Sequence, residues 1–412
     1  MAQRLDTIVI GAGQAGLAVS YLLTKRGREH VVLERGEIGQ TWRSERWDSF
    51  RLNTPNSFLQ LPGHEYAGDD PEGFLTRDET VAYLERYADA LDRSVQTGTD
   101  VLSLRARSDG GFALETSAGP FSAANVVVAT GSFRRPTPRP PGGSAAPGIL
   151  QLHANEYRRP EQLPDGNVLV VGSAQSGCQI TGELSRAGRG VYLSLGRCPS
   201  LPLLYRGRRV YDWIIDVGMM DETVDTLPSP AARLAGNPTV DSDDVSHLLG
   251  PRRLAAEGVT LIGRVEAVDD RRVVIRPDAN ERLAEAAQFD GTFKQRLDDY
   301  VEANGLDLPE EPHSDEKLEV TELTELDLRA AGVRTIVWAN GYRPDFGWIE
   351  LPVFDADGWP VQTRGVTAVE GLYFIGVHWL HKRKSALLLG VGEDTEHVIS
   401  MMDDGKRGKE KQ

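Results

Sequence analysis

Two short windows in this 412-residue chain have the residue types and spacing of a nucleotide-binding turn. Residues 8–16 read Ile-Val-Ile-Gly-Ala-Gly-Gln-Ala-Gly, and residues 169–177 read Leu-Val-Val-Gly-Ser-Ala-Gln-Ser-Gly. They align without a gap, 161 positions apart, so Gly11, Gln14 and Gly16 fall on Gly172, Gln175 and Gly177. In each window a β-branched run enters a glycine-rich turn and a helical pattern leaves it. In the first, Gly11 allows the tight turn and Gly13 lets the backbone approach a pyrophosphate. Gly16 lets helix pack on strand, while the helix start at Gln14 and Ala15 faces the anion. The next strand-like run, residues 30–33, ends in Glu34, 23 positions after Gly11. An acid there binds ribose hydroxyls, and Arg35 is grouped with it.

The second window has Ala174 where the first has Gly13. A methyl group there pushes a pyrophosphate outward without excluding it, and Gly172, Gln175, Ser176 and Gly177 complete the turn. The following strand, residues 191–194, ends in no acid. Ser194 and Arg197 stand there instead, and a hydroxyl with an arginine suits a 2′-phosphate, favouring NADPH over NADH. For Arg197 a solvated surface position is an equal reading; for Arg206, Arg208 and Arg209 it is the preferred one. Two further strand-turns resemble each other: Val126-Val127-Val128-Ala129-Thr130-Gly131 and Ile336-Val337-Trp338-Ala339-Asn340-Gly341. Each is read as a return between nucleotide domains, with Thr130, Gly131, Asn340 and Gly341 at the cofactors.

These windows need elements that hold them. The chain is long enough for two or three domains. Residues 81–92 read as helix, and 97–128 as short strands. The proline-rich stretch 136–147 (Pro136, Pro138, Pro140, Pro141, Pro147) reads as a hinge or crossover. Residues 281–303 read as a polar helix, 307–316 as an acidic loop, strand patterning resumes at Thr335, and 393–402 reads as a closing helix. The expected fold is α/β: two Rossmann-like dinucleotide-binding domains, the second inserted in a split first. Residues 1–155 and 326–403 would form the FAD domain, 156–325 the NAD(P)H domain, and 404–412 a disordered tail. The net charge of −15 argues against nucleic acid. No apolar run reaches membrane-span length. There is no signal-peptide pattern, and the two cysteines, Cys178 and Cys198, form no C-x-x-C pair. The simplest reading is a reduced, cytoplasmic protein with a small-molecule substrate; its oligomeric state is open, a homodimer included.

Taken together, several motifs in order resemble the flavin-containing monooxygenases, specifically their short bacterial group, from about residue 5 to 400. They are the Gly11 turn, Gly39-Gln40-Thr41-Trp42, Arg51-Leu52-Asn53-Thr54-Pro55, Ala129-Thr130-Gly131, the Gly172 turn and Gly390-Val391-Gly392-Glu393-Asp394. A segment ending in His153 and Tyr157 resembles the family's F-x-G-x-x-x-H-x-x-x-[YFW] fingerprint. Its Gly-to-His spacing is one too long and the phenylalanine is missing, so His153 reads as a structural histidine.

The resemblance implies that NADPH reduces FAD and that O₂ is the co-substrate. A flavin C4a-(hydro)peroxide would pass one oxygen atom to a soft nucleophile (S or N, or an indole-type carbon). The flavin supplies that chemistry, so few acid–base groups are needed. Asn53 would stand near the reacting flavin, an Asn-Thr-Pro turn being a comparable reading. Gln40, Thr41 and Trp42 would line the cofactor, Trp42 being equally a core tryptophan. Gly376 and Gly390 are counted with the cofactor-binding residues, and the helix after Gly390 would turn its amides toward the flavin, an N-capped surface helix being the plainer reading. Substrate-contacting residues are expected between the domains, helped by 203–235 and 281–303. A disulfide reductase is set aside for want of a cysteine pair. Baeyer–Villiger oxygenation of a ketone and a non-oxygenating NADPH:flavin oxidoreductase or redox accessory protein remain as alternatives.

Overall fold

The structure, a computed structural model, describes the chain apart from residues 1–3, 92–93, 141–143, 146–147, 198, 235, 243, 313–317 and 411–412. Cys198, Pro141, Pro147 and residues 313–316 of the expected acidic loop therefore lie outside the described residues.

The apolar run before the first turn forms strand β1 (Arg4–Ile10), and helix α1 (Gln14–Lys25) starts from its end. β1 pairs in parallel with β2 (His30–Leu33) on one side and β3 (Gly119–Val128) on the other. Ile8, Val9, Val126 and Val127 are fully buried. Such uniform burial requires cover on both faces, as central parallel strands have. Short helix α2 (Gln40–Ser44) and helix α3 (Arg77–Asp89) follow β2. The α3 start is a capping box, in which Thr76 accepts from the Glu79 amide and Glu79 from the Thr76 amide. Strand Phe112–Thr116 adds antiparallel to β3, and Val101–Ala106 adds antiparallel to Phe112–Thr116, within the expected strand-rich stretch 97–128.

A second, wholly parallel sheet repeats this plan. In spatial order it runs β4 (Leu150–His153), β8 (Val333–Trp338), β5 (Asn167–Val171), β6 (Val191–Ser194), β7 (Thr260–Ile262). Helix α4 (Gln175–Arg186) starts from the end of β5, as α1 does from β1. Between β6 and β7 lie a short helix α5 (Val210–Asp216), a further short helix Pro251–Ala256 and two small two-stranded pairs joined by loops; helix α6 (Ala279–Asn304) follows β7. The chain then returns to the first sheet through β9 (Leu372–Phe374), parallel to β3, and closes with helix α7 (Val391–Glu410) packed on α1.

The expected boundaries at 155/156 and 325/326 do not follow the sheets. β4 and β8 belong to the second sheet, because the buried run Thr335–Trp338 needs the central place beside β5. The two crossovers run side by side, Arg135–Pro136 pairing antiparallel with Tyr342–Arg343, so the proline-rich stretch begins in a crossover. The helix expected over 393–402 also continues through Glu410, where a disordered tail was expected.

The two turns superimpose in their bonding. Gly11 N–H donates to Leu33 O at 2.8 Å, and Gly172 N–H to Ser194 O at 3.0 Å. Ala129 N–H donates to Ile10 O at 2.9 Å, and Ala339 N–H to Val171 O at 2.8 Å. A Cβ on Gly16 would stand 1.8 Å from Gly11 O, and one on Gly177 1.8 Å from Gly172 O. Around Gly13, by contrast, nothing lies within 4 Å of such a Cβ. Gly16→Ala should therefore lower the stability of the ligand-free protein by roughly 1–3 kcal/mol through overpacking. Gly13→Ala should leave it within about 0.5 kcal/mol. Thermal unfolding of both variants without added cofactor checks the contrast; equal losses would contradict it.

Candidate functional site

A cavity of about 910 Å³ runs between the two sheets and reaches both turns, at the upper end of the size range of small-molecule sites. Its wall at the first turn is Gly11, Gly13, Gln14 and Ala15, with Glu34, Arg35, Gln40, Thr41, Trp42, Thr130, Gly131 and Gly376 around them. At the second turn it is Gly172, Ala174, Gln175 and Ser176, with Arg197, Asn340 and Gly341. Asn53 lies on the wall between. Gly16 and Gly177 do not line it; they sit where helix meets strand, the packing role read for the third glycine.

The first turn fits an extended dinucleotide. Glu34 is buried, and its carboxylate accepts from the amides of Ala12 at 2.8 Å and Gly36 at 3.0 Å. That fixes an acceptor at the edge of the cavity beside the open space at Gly13. The Thr130 hydroxyl is buried without a partner, and so is the Asn340 carbonyl oxygen at the equivalent place in the second turn. Such groups stay unpaired at a cost that a bound ligand removes. Arg134 and Arg46 also line the cavity. Burial, then the neighbouring Arg35, pushes the Arg134 pKa down, which a nearby anion would reverse. Arg46 lies 5.3 Å over the Trp42 ring and donates to Glu45 O at 2.9 Å. Sequence reading missed both arginines; Arg134, three residues after Gly131, was within reach of it.

Three assignments change. Ser194 is buried, its hydroxyl donating to Gly263 O at 3.0 Å and accepting from the Val265 amide at 3.2 Å. It faces into the sheet and does not line the cavity. Gly390 does not line it either, because a Cβ there would strike the Lys384 backbone; the lining comes from Ala386–Leu389 before it. Of the residues just past Gly390, Asp394 is buried beside His381, 3.6 Å away, and Glu393 pairs with Lys382 and Lys384. Helix α6 supports the site from behind: Phe293, Leu297 and Val301 pack into the apolar cluster around Trp213, and none reaches the cavity. Stretch 203–235 does contribute, through Val210, Tyr211, Ile214, Met219, Met220, Arg233 and Leu234.

Arg197 is on the wall, 76% exposed and 3.7 Å from Glu285. Arg206, Arg208 and Arg209 do not line the cavity, but neither are they the solvated cluster expected: they pair with Asp298, Asp216 and Glu72, and Arg208 and Arg209 also stack over Trp213, Phe74 and Tyr211. His153 ends β4, and the buried Tyr157 hydroxyl donates to Glu183 of α4 at 2.7 Å, a structural link. Among the described residues no group of His, Cys, Asp and Glu could hold a metal ion. No helix among them is long and apolar enough to cross a membrane.

The loop carrying Asn53 is pinned from the stretch between β6 and β7. Tyr211 Oη donates to Asn53 O at 2.6 Å, and His247 Nε2 bonds Leu52 O at 3.1 Å. Burial is the main cause that pushes the His247 pKa down to about 4. Between its ordinary value of 6.5 and about 4, the unfolded chain takes up a proton that the folded chain refuses. Stability therefore falls as pH drops through that window, by up to about 3 kcal/mol for this one residue. His247→Gln should flatten the dependence, read from urea unfolding at pH values spanning the window; an unchanged slope would contradict the assignment.

The chain is thus a mixed α/β protein with two like turns opening on one cavity. The family pattern described as pyridine nucleotide-disulphide oxidoreductase matches residues 8–199. An uncharacterized CzcO-like oxidoreductase of Geobacillus kaustophilus is 32% identical over 399 residues, covering 96% of this chain and 97% of that protein. Two solved structures share the fold. A flavin-containing monooxygenase from Stenotrophomonas maltophilia has a TM-score of 0.67 at 20% identity, covering 98% of this chain and 99% of its own. OTEMO in complex with FAD and NADP has a TM-score of 0.58 at 18% identity, covering 99% and 87%. The chain belongs to the CzcO-type oxidoreductases.

Proposed function

We propose that this chain is an FAD-dependent, NADPH-consuming monooxygenase acting on a soft nucleophile of a small organic molecule. The observation that carries this reading is the shared cavity: both motif helices start on it, so two dinucleotides can meet there. The fold likeness to a complex holding FAD and NADP supports the same pair of cofactors here. When bound, FAD supplies the redox and oxygen chemistry. For a sulfide the balance is NADPH + H⁺ + O₂ + R₂S → NADP⁺ + H₂O + R₂SO.

The residues have distinct tasks in this account. The α1 start holds the FAD pyrophosphate and Glu34 its ribose hydroxyls, with Thr130, Arg46 and Arg134 close by. The α4 start holds the coenzyme, and Arg197 meets its 2′-phosphate in place of Glu285. Asn53 presents an amide that donates without titrating. Phe58, Leu201, Val210, Ile214, Met219, Met220 and Leu387–Leu389 form an apolar wall, which keeps water from the reacting atoms and favours an uncharged substrate.

The test is anaerobic mixing of the purified flavoprotein with NADPH or NADH, then with O₂, in a stopped-flow spectrometer. NADPH should bleach the flavin, and O₂ should give a lasting transient absorbing between reduced and oxidised flavin. Immediate return of the oxidised spectrum would mark a reductase or oxidase. In Asn53→Ala the transient should decay about tenfold faster, equivalent to about 1.4 kcal/mol; an unchanged lifetime would remove Asn53 from this role.

A further inference from the structure

Asn53 is gripped by two glutamines that the sequence reading did not connect with it. Gln179 Nε2 donates to Asn53 Oδ1 at 2.5 Å, Asn53 Nδ2 donates to Gln175 Oε1 at 2.8 Å, and Gln175 Nε2 donates to Pro238 O at 3.5 Å. Both glutamines belong to α4, the helix of the second turn, while Asn53 belongs to the first unit. Gln179 is buried, 6% exposed. The long Gln175–Pro238 contact favours one direction for the relay. A backbone carbonyl can accept but never donate, so Pro238 O demands the NH₂ end of Gln175. Gln175 then offers Asn53 an acceptor, Asn53 must answer with its NH₂, and its oxygen is left for Gln179.

We infer that Gln175 and Gln179 are positioning residues that set which end of the Asn53 amide faces the coenzyme side of the cavity. The inference rests on the role proposed for Asn53. Gln175 is the first residue of α4, so the donor end of Asn53 is turned toward the place where the second dinucleotide would lie. One of the two Nδ2 hydrogens goes to Gln175; among the described residues the other has no acceptor. It is the hydrogen a ligand in the cavity can use. The first unit has an equivalent tie, since Gln14, the counterpart of Gln175, donates to Ala386 O at 2.6 Å on the opposite wall. Each turn thus uses its first helical glutamine to fix the wall it faces.

Gln179→Glu tests the polarity directly. An ionised carboxylate can only accept, so it calls for the Asn53 NH₂ and turns the amide round. A protonated carboxyl can donate and restores the original direction. In the flavin-loaded variant at neutral pH, hydrogen peroxide released per NADPH consumed should rise about fivefold, the effect of misplacing one hydrogen bond. Anaerobic flavin reduction should stay within about twofold of the original protein. The peroxide leak should fall again as pH is lowered, with the original protein run alongside. A leak that does not depend on pH would overturn the polarity argument.

A second measurement needs no turnover. In a thermal-unfolding cycle of Asn53→Ala, Gln179→Leu and the double variant, the double should unfold no lower than the worse single, because the partners lose one shared contact. Strictly additive losses would overturn the relay. If the original protein shows no NADPH-driven flavin reduction, the proposed function fails, and this cycle still decides whether the glutamines hold Asn53.

Discussion

Each helix of the two turns must begin against the end of its own strand with no side chain between them. Gly16 approaches the Gly11 carbonyl and Gly177 the Gly172 carbonyl so closely that a single methyl group cannot enter. The neighbouring strand end closes the gap from the other side, Ala129 in one unit and Ala339 in the other. This steric limit aims the free amides of α1 and α4 past the strand ends and into one cavity. A helix start so aimed carries partial positive charge and open donors, which is what a pyrophosphate needs. The acid Glu34, the unpartnered Thr130 hydroxyl and the unpartnered Asn340 oxygen take their meaning from that placement.

The second consequence is that no single unit owns the site. The chain crosses between sheets twice, and the crossovers pair with each other through Arg135–Pro136 and Tyr342–Arg343. Residues 50–58 of the first unit are held by Tyr211 and His247 from the second. The 382–384 segment is tied by ion pairs to Asp221 and Glu222, and Leu387 and Leu389 join the apolar cluster of Met219 and Met220. A cavity walled in this way depends on both units being folded and docked.

Much of this was legible in the sequence, for a physical reason. Glycines at turns and an acid at a strand end act through the backbone a few residues away, so spacing alone carries them. The repeat of Val128-Ala129-Thr130-Gly131 in Trp338-Ala339-Asn340-Gly341 was likewise visible, and the two segments occupy equivalent places. The failures lie where side-chain direction or partners distant in sequence decide. Ser194 and Arg197 looked alike as hydroxyl and cation near a strand end. Pleating turned Ser194 inward to Gly263 and Val265, while Arg197 stayed on the wall. The boundary of the inserted unit was misread because β8 finds its place only by pairing with β5, and β4 only by pairing with β8, each across more than a hundred residues. The Asn53–Gln175–Gln179 relay joins residues over 120 positions apart, 175 − 53 = 122, and no local pattern announces it.

The central claim is that two dinucleotides lie together in one cavity, one at each helix start. Titration of NADP⁺ into the flavin-loaded protein, followed by visible absorption and by calorimetry, tests it most directly. One NADP⁺ should bind per flavin and shift the flavin spectrum, because the two rings would share the space between Asn53 and the α4 start. Displacement of flavin by NADP⁺, or binding that leaves the spectrum untouched, would contradict the account.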